Sequence, residues 1–133
     1  METHSIGPID IAVSGLKAQG QNIRLITSNV ANSQTTQTGS GEPYRRVEAV
    51  LRAAADPFGG VTVDEVVADM SQFPLVYKPG HPNADAQGYV QMPNVSLPME
   101  MINLNVATRA YQANAAVLKR YQRMVETSLE LLR

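Results

Sequence analysis

Apolar side chains recur at helical spacing near both ends of this chain of 133 residues. Between about Pro8 and Val30 they return at alternating steps of four and three residues, which is the spacing of a heptad seam. This spacing predicts a first helix with one apolar side, and Pro8 suits its opening turn. The members of the seam are Ile9, Val13, Leu16, Gly20, Ile23, Thr27 and Val30.

A second and longer helix is predicted from about Leu97 to Leu132, with Ser96 as its N-cap. Such a helix measures roughly 50 Å, whereas a folded chain of this size is roughly 35–40 Å across. Part of it is therefore expected to protrude, and its apolar side needs a partner. Apolar and small residues return about every 3.6 positions, at Ile102, Val106, Ala110, Ala113, Val117, Tyr121, Met124, Ser128 and Leu131.

The segment between the helices favours short strands and turns. Alternating or β-branched residues predict strands over residues 44–51, 61–67, 75–77 and 89–92. The fold class that follows is mainly α, with two long terminal helices paired as a coiled-coil-like core and a small β-rich insert. We expect a discontinuous helical domain formed by residues 1–32 and 96–133, and an insert of strands and loops over residues 33–95. The pattern allows the helices to run parallel or antiparallel.

Composition excludes several classes of function. The formal net charge of −1 gives no field that attracts nucleic acid. The absence of cysteine excludes a disulfide framework and thiolate chemistry. No apolar run approaches the roughly 20 residues that a membrane-spanning helix needs. The N-terminus lacks the pattern of a cleaved signal peptide, so we expect a cytosolic protein or one exported without cleavage.

Candidate chemistry is sparse, and we expect no catalytic residue, metal or cofactor. His4 and His81 each lack a second ligand at suitable spacing. The asparagines are more informative, since asparagine is a poor residue inside helices. Asn29 and Asn32 are interpreted as C-terminal caps in the left-handed conformation. For Asn114 two interpretations stand, an ordinary helix position or a residue that bonds across to a neighbouring helix and fixes register.

Three short segments carry a family resemblance. Ser14-Gly15-Leu16 and Ser28-Asn29-Val30-Ala31-Asn32 resemble the N-terminal signature of the bacterial flagellar rod, hook and hook-associated axial proteins. Arg109-Ala110-Tyr111-Gln112-Ala113-Asn114 resembles the C-terminal helix of the same proteins. The central segments over residues 43–46, 76–85 and 88–95 narrow the resemblance to the basal-body rod proteins of the proximal rod.

The resemblance implies a structural subunit that polymerises through its terminal helices into a hollow drive shaft, which transmits torque from motor to hook. Such proteins pass through the flagellar type III export apparatus without a cleaved signal peptide and assemble in the periplasmic space. The implied partners are other rod subunits, copies of the same chain, and the MS-ring or export-gate adaptor at the rod base. Enzyme activity, a cofactor, nucleic-acid binding and membrane insertion are not implied.

The two apolar seams and the signature residues together predict a surface for helix packing and assembly. Two other classes stay open: a cytosolic coiled-coil adaptor and, with less support, a peptidoglycan-cleaving enzyme, for which no convincing acid pair is present. The predicted surface comprises Ile9, Val13, Leu16, Ile23, Asn29, Val30, Asn32, Ile102, Val106, Arg109, Ala113, Asn114, Val117, Tyr121, Met124 and Leu131.

Overall fold

Two long helices frame two small β-hairpins in the computed structural model, which describes residues 7–56 and 59–133. The position of His4 lies outside the described residues. The predicted fold class is confirmed, because the helices pack on each other and the short antiparallel strands form an insert between them. The elements are α1 (Pro8–Ala31), β1 (Val47–Ala53), β2 (Val61–Ala68), β3 (Leu75–Tyr77), β4 (Tyr89–Gln91) and α2 (Leu97–Leu131).

Local interactions set the ends of α1. Pro8 occupies its first turn, and the Gly7 backbone N–H donates to the Asp10 carboxylate at 3.0 Å. At the other end Asn32 has φ −99°, so the expected left-handed cap is wrong for this residue. Instead, the Asn32 side-chain amide donates to the Ser28 carbonyl at 2.9 Å. The side chain itself satisfies a terminal carbonyl of the helix, and a left-handed turn is not needed for that purpose.

The helices run antiparallel, and α2 is the longer by far, with 35 residues against 24. Asn29 contacts Glu100, and Gly15 lies against Asn114. The two contacts are therefore fourteen residues apart on α1 and also fourteen residues apart on α2. At that rate the start of α1 falls opposite Tyr121, and about ten residues of α2, roughly 15 Å, continue past it. Residues 122–133 are exposed throughout, so the expected protrusion is present.

Small residues form the first half of the buried side of α1. Its buried positions are Ala12, Gly15, Ala18, Ile26 and Asn29. The larger apolar residues of the predicted seam lie about a third of a turn away and are half-buried, and Thr27 is exposed. Small side chains let the two helix backbones approach closely, which explains why the buried side is not the one with the largest residues.

Gly15 marks a close approach of the helices. A Cβ atom there would lie 2.6 Å from Asn114 Nδ2 and 2.9 Å from its Cγ. We expect Gly15→Ala to lower the free energy of unfolding by about 1–3 kcal/mol, because the added carbon overpacks a buried contact. Urea unfolding followed by circular dichroism measures the change.

Gly20→Ala is the matched control, because a Cβ at Gly20 meets nothing nearer than a Tyr111 ring carbon at 3.9 Å. There the higher helix propensity of alanine dominates, and we expect a gain in stability of about 0.5–1 kcal/mol. Equal effects of the two substitutions would contradict the close approach at Gly15.

The insert consists of two antiparallel hairpins. In the first, Val47 of β1 lies opposite Ala68 of β2, and the register shifts between Val50 and Leu51. In the second, β3 pairs with β4 around Val76 and Val90. All four predicted strands are found, with ends displaced by up to three residues. The first hairpin is attached to α1 by the Val61 backbone N–H, which donates to the Ser14 hydroxyl at 3.1 Å.

Candidate functional site

A buried carboxylate lies where α1, β1 and α2 meet. Glu100 in the first turn of α2 has 0% of its surface exposed. Its Oε1 accepts a hydrogen bond from Arg46 Nε at 2.6 Å, and its Oε2 accepts one from Asn29 Nδ2 at 3.2 Å. A helix N-terminus also favours a negative charge. We call Asn29, Arg46 and Glu100 the polar junction.

Asn29 attaches the start of β1 to the end of α1. Its Nδ2 donates to the Val47 carbonyl at 2.8 Å, and its Oδ1 accepts from the Val47 backbone N–H at 3.0 Å. The same Oδ1 accepts from the Tyr44 hydroxyl at 2.9 Å. A side-chain amide offers both donors and an acceptor, which is what these contacts require. Asn29 therefore does not cap the helix as interpreted from the sequence, and its side chain instead connects α1 to the β insert and to α2.

Arg46 connects Glu100 to the acidic groups of the insert. Its Nη1 lies 2.8 Å from Glu48 Oε2 and 3.8 Å from Asp69 Oδ2. Burial opposes the charged guanidinium, but the hydrogen bonds with Glu48 and Glu100 outweigh it and raise the pKa of Arg46. The Arg46 backbone N–H also donates to Asn94 Oδ1 at 2.8 Å. Arg46 is thus held by both side-chain and backbone contacts.

The neighbouring carboxylate of Asp69 is more acidic than usual. Hydrogen bonds from the Ser71 backbone and side chain, aided by the charges of Arg46 and Arg45, lower the pKa of Asp69 against the opposing effect of burial. Because the pKa is lower in the folded state, this carboxylate stabilises the fold above its unfolded pKa. That contribution is lost as the pH falls through the folded pKa.

The outer side of α2 carries an exposed apolar stripe, which comprises Ile102, Val106, Ala113, Val117, Met124 and Leu131. Apart from Ala113, which is also exposed, their exposed fractions range from 50% at Val117 to 83% at Leu131. The side of α2 that faces α1 is a different one, which includes Glu100, Ala107 and Asn114. These predicted assembly residues therefore share one face of α2, which differs from the face that packs on α1.

The other predicted residues lie mostly in half-buried positions. Arg109 is exposed. Asn114 packs against Gly15 on the neighbouring helix, but its amide donates to the Ala110 carbonyl of its own helix at 3.0 Å. The contact across the helices is present and the hydrogen bond across them is not. The half-buried group comprises Ile9, Val13, Leu16, Ile23, Val30, Asn32, Asn114 and Tyr121. Contacts of these residues with other subunits stay a prediction.

Arg46 and Glu100 were not among the residues predicted from the sequence. A usable signal existed for Glu100, since it precedes Ala107 and Asn114 at steps of seven and therefore shares their side of α2. For Arg46 no spacing links it to Glu100, 54 positions away. Only the folded chain brings the two together.

The junction offers no unsatisfied group for a ligand. Across residues 7–56 and 59–133, every buried side-chain nitrogen and oxygen has a hydrogen-bond partner. The same part of the chain has no cluster of three metal-ligating side chains. None of its helices combines the length and the hydropathy needed to cross a bilayer. The arrangement is suited to holding elements together.

Comparison with known proteins agrees with this picture. Residues 86–131, which include β4 and α2, match the family described as flagellar basal body rod FlgEFG protein C-terminal. For this part of the chain, the match indicates the class of flagellar rod proteins.

Relatives that extend over almost the whole chain define the family more narrowly. The flagellar basal-body rod protein FlgC of Yersinia enterocolitica is 42% identical over 125 residues, which cover 92% of this chain and 93% of the relative. The FlgC protein of Escherichia coli O157:H7 is 43% identical with the same coverage. That of Bacillus subtilis is 34% identical over 142 residues and covers 92% and 95% of the two chains. The chain belongs to the FlgC family of flagellar basal-body rod proteins, and the family resemblance is confirmed.

Proposed function

We propose that this protein polymerises into the proximal part of the flagellar rod through the exposed stripe of α2, packed against helices of neighbouring subunits. The observation that carries the proposal is the exposure of at least half of each large apolar side chain in the stripe. Exposing a row of apolar side chains to water costs free energy, and burying the row against another helix recovers it. Contacts between unlike surfaces extend into a helical tube when the rotation between subunits does not close a ring.

The proposal assigns different roles to the two parts of the chain. Residues 1–32 and 96–133 form the assembling helical part, and residues 33–95 form an outer insert. The polar junction holds the insert at a fixed place beside the helices. A stiff helical tube of this kind would transmit torque from motor to hook, and close packing supplies the stiffness.

Membership of the family supports the proposal for partners and location. The relatives are named as basal-body rod proteins. We propose other rod subunits, copies of this chain and an adaptor at the base of the rod as neighbours. The proposed location is the rod within the periplasmic space, reached through the flagellar type III export apparatus without a cleaved signal peptide. In this role the protein is not an enzyme.

Fractionation of flagellated cells tests the assignment. We expect an antibody against the protein to detect it in purified basal bodies, at a level that falls to zero in a deletion strain. A coiled-coil adaptor would instead remain in the cytosolic fraction, and that result would overturn the proposal. A zymogram of the purified protein on peptidoglycan is the control for the enzymatic alternative, and a cleared band would contradict the structural role.

A further inference from the structure

Four charged residues form a line along the protruding end of α2. Lys119, Arg123, Glu126 and Glu130 are spaced four, three and four residues apart, which places them on one face of the helix. All four are exposed. None of them forms an ion pair within 4 Å with another residue of the described part of the chain. This line lies away from both the apolar stripe and the side that packs on α1.

Two of the three neighbouring pairs in this line are unfavourable within a single helix, and only Arg123 and Glu126, three residues apart, attract each other. Lys119 and Arg123 are like charges four residues apart, and so are Glu126 and Glu130. Such pairs destabilise a helix, whereas alternating charges at the same spacing would stabilise it. Two basic residues are followed by two acidic ones. When two such helices lie antiparallel, each basic residue of one helix therefore lies opposite an acidic residue of the other.

We propose that two copies of this chain pair the ends of their α2 helices antiparallel, across a two-fold axis between Met124 and Val125. In this register Lys119 lies opposite Glu130 of the second copy, and Arg123 lies opposite Glu126 of the second copy. The two-fold axis generates each pair twice. Every member of the charged line then faces an opposite charge, and the unfavourable order within one helix becomes favourable between two.

Apolar residues beside the charged line support the same contact. Leu118, Val125 and Leu129 each directly precede a member of the line and continue the side of α2 that faces α1, where Leu118 is half-buried. Val125 is 40% exposed and Leu129 is 63% exposed, and both lie beyond the start of α1. In an antiparallel pair the same edges of both helices come together, so these side chains cover one another alongside the charges.

The proposed pair differs in kind from a rod contact. A two-fold contact uses the same surface on both subunits and closes after two copies, whereas a polar tube needs unlike surfaces. The pair therefore belongs to the free protein and must separate before the subunit joins the rod. It uses the charged line rather than the apolar stripe, and it can hold or fail independently of the proposed function.

Two double variants with the same charge composition test the register. Lys119→Glu with Glu130→Lys exchanges the members of one antiparallel pair and keeps every contact between copies attractive. Lys119→Glu with Glu126→Lys makes every contact between copies repulsive, because the new glutamate lies opposite Glu130 of the second copy and the new lysine lies opposite its Arg123. Both variants keep the formal net charge at −1, and both convert the like-charged pairs four residues apart within α2 into opposite ones. Circular dichroism of the dilute proteins checks that their helix contents match.

Sedimentation velocity over a concentration series, on the full-length proteins, measures the pairing. We expect the wild-type protein and the 119/130 variant to dimerise, and the 119/126 variant to dimerise at least about tenfold more weakly. High salt should weaken the wild-type dimer, since the charges are exposed.

Several results would overturn the proposal. The first is a wild-type protein that stays monomeric, and the second is equal dimerisation of the two variants. The third is stronger dimerisation of the 119/126 variant than of the 119/130 variant, which would indicate parallel helices offset by seven residues. If the full-length protein stays monomeric and a variant without residues 2–6 dimerises, the end of α2 binds the N-terminal residues of its own chain instead of a second copy. Basal-body fractionation is unaffected by these outcomes, so failure here is distinguishable from failure of the proposed function.

Discussion

Replacing Arg46 with alanine is expected to lower the free energy of unfolding by about 3 kcal/mol. The substitution removes the counter-charge of the Glu100 carboxylate, which is 0% exposed in the wild-type protein, and leaves only the Asn29 amide as a side-chain partner. A buried charge without its counter-charge is costly, and the surrounding backbone must open to admit water. Urea unfolding at neutral pH measures the loss.

Arg52→Ala is the matched control, because Arg52 also pairs with a carboxylate, that of Asp64, but its side chain is 71% exposed. Exposed ion pairs contribute little, so we expect a change within about 0.5 kcal/mol. A double variant with Arg46→Met and Glu100→Leu should lose less than Arg46→Ala, because it removes both charges. Equal losses in the Arg46 and Arg52 variants would contradict the importance of the polar junction.

Replacing Val117 with aspartate is expected to abolish incorporation into the rod, and with it swimming, without unfolding the subunit. Val117 is 50% exposed in the middle of the stripe, so the isolated subunit solvates the new carboxylate. In a dry contact with a neighbouring helix the same carboxylate loses its water at a cost of several kcal/mol. Thermal unfolding of the purified variant, basal-body blots and a motility assay separate folding from assembly.

Ala116→Asp supplies the comparison. It introduces the same carboxylate one residue earlier, at an exposed position about 100° around the helix and outside the stripe. We expect this variant to swim. Normal swimming by the Val117 variant, or loss of swimming by both, would remove the assignment of the stripe as the assembly surface.

Spacing along the chain was sufficient to predict the elements of this fold. Both helices and all four strands are local features, and Pro8, Ser96 and the turn residues mark their limits. The spacing of large apolar residues did not identify the buried side of α1, because Gly15 and its small neighbours create the close contact with α2. For α2, the same spacing picked out a face that is exposed in the single subunit.

The polar junction was beyond prediction from the sequence. Asn29 and Glu100 are separated by 71 positions, and Arg46 lies in the insert between them. Each residue has an ordinary local explanation, as a helix end, a strand flank or a favourable charge in a first turn. Their shared function depends on the antiparallel direction of the helices, which the apolar pattern left undetermined.

The contact between Asn29 and Glu100 means that the polypeptide leaves the helix pair and returns to it at one end. The beginning of α1 lies at the opposite end, and the last turns of α2 protrude beyond it. The polypeptide between α1 and α2 is thus attached to one end of an antiparallel pair of helices. We expect insertions in its loops to leave the lengths of both helices unchanged, because neither helix has to lengthen to accommodate them.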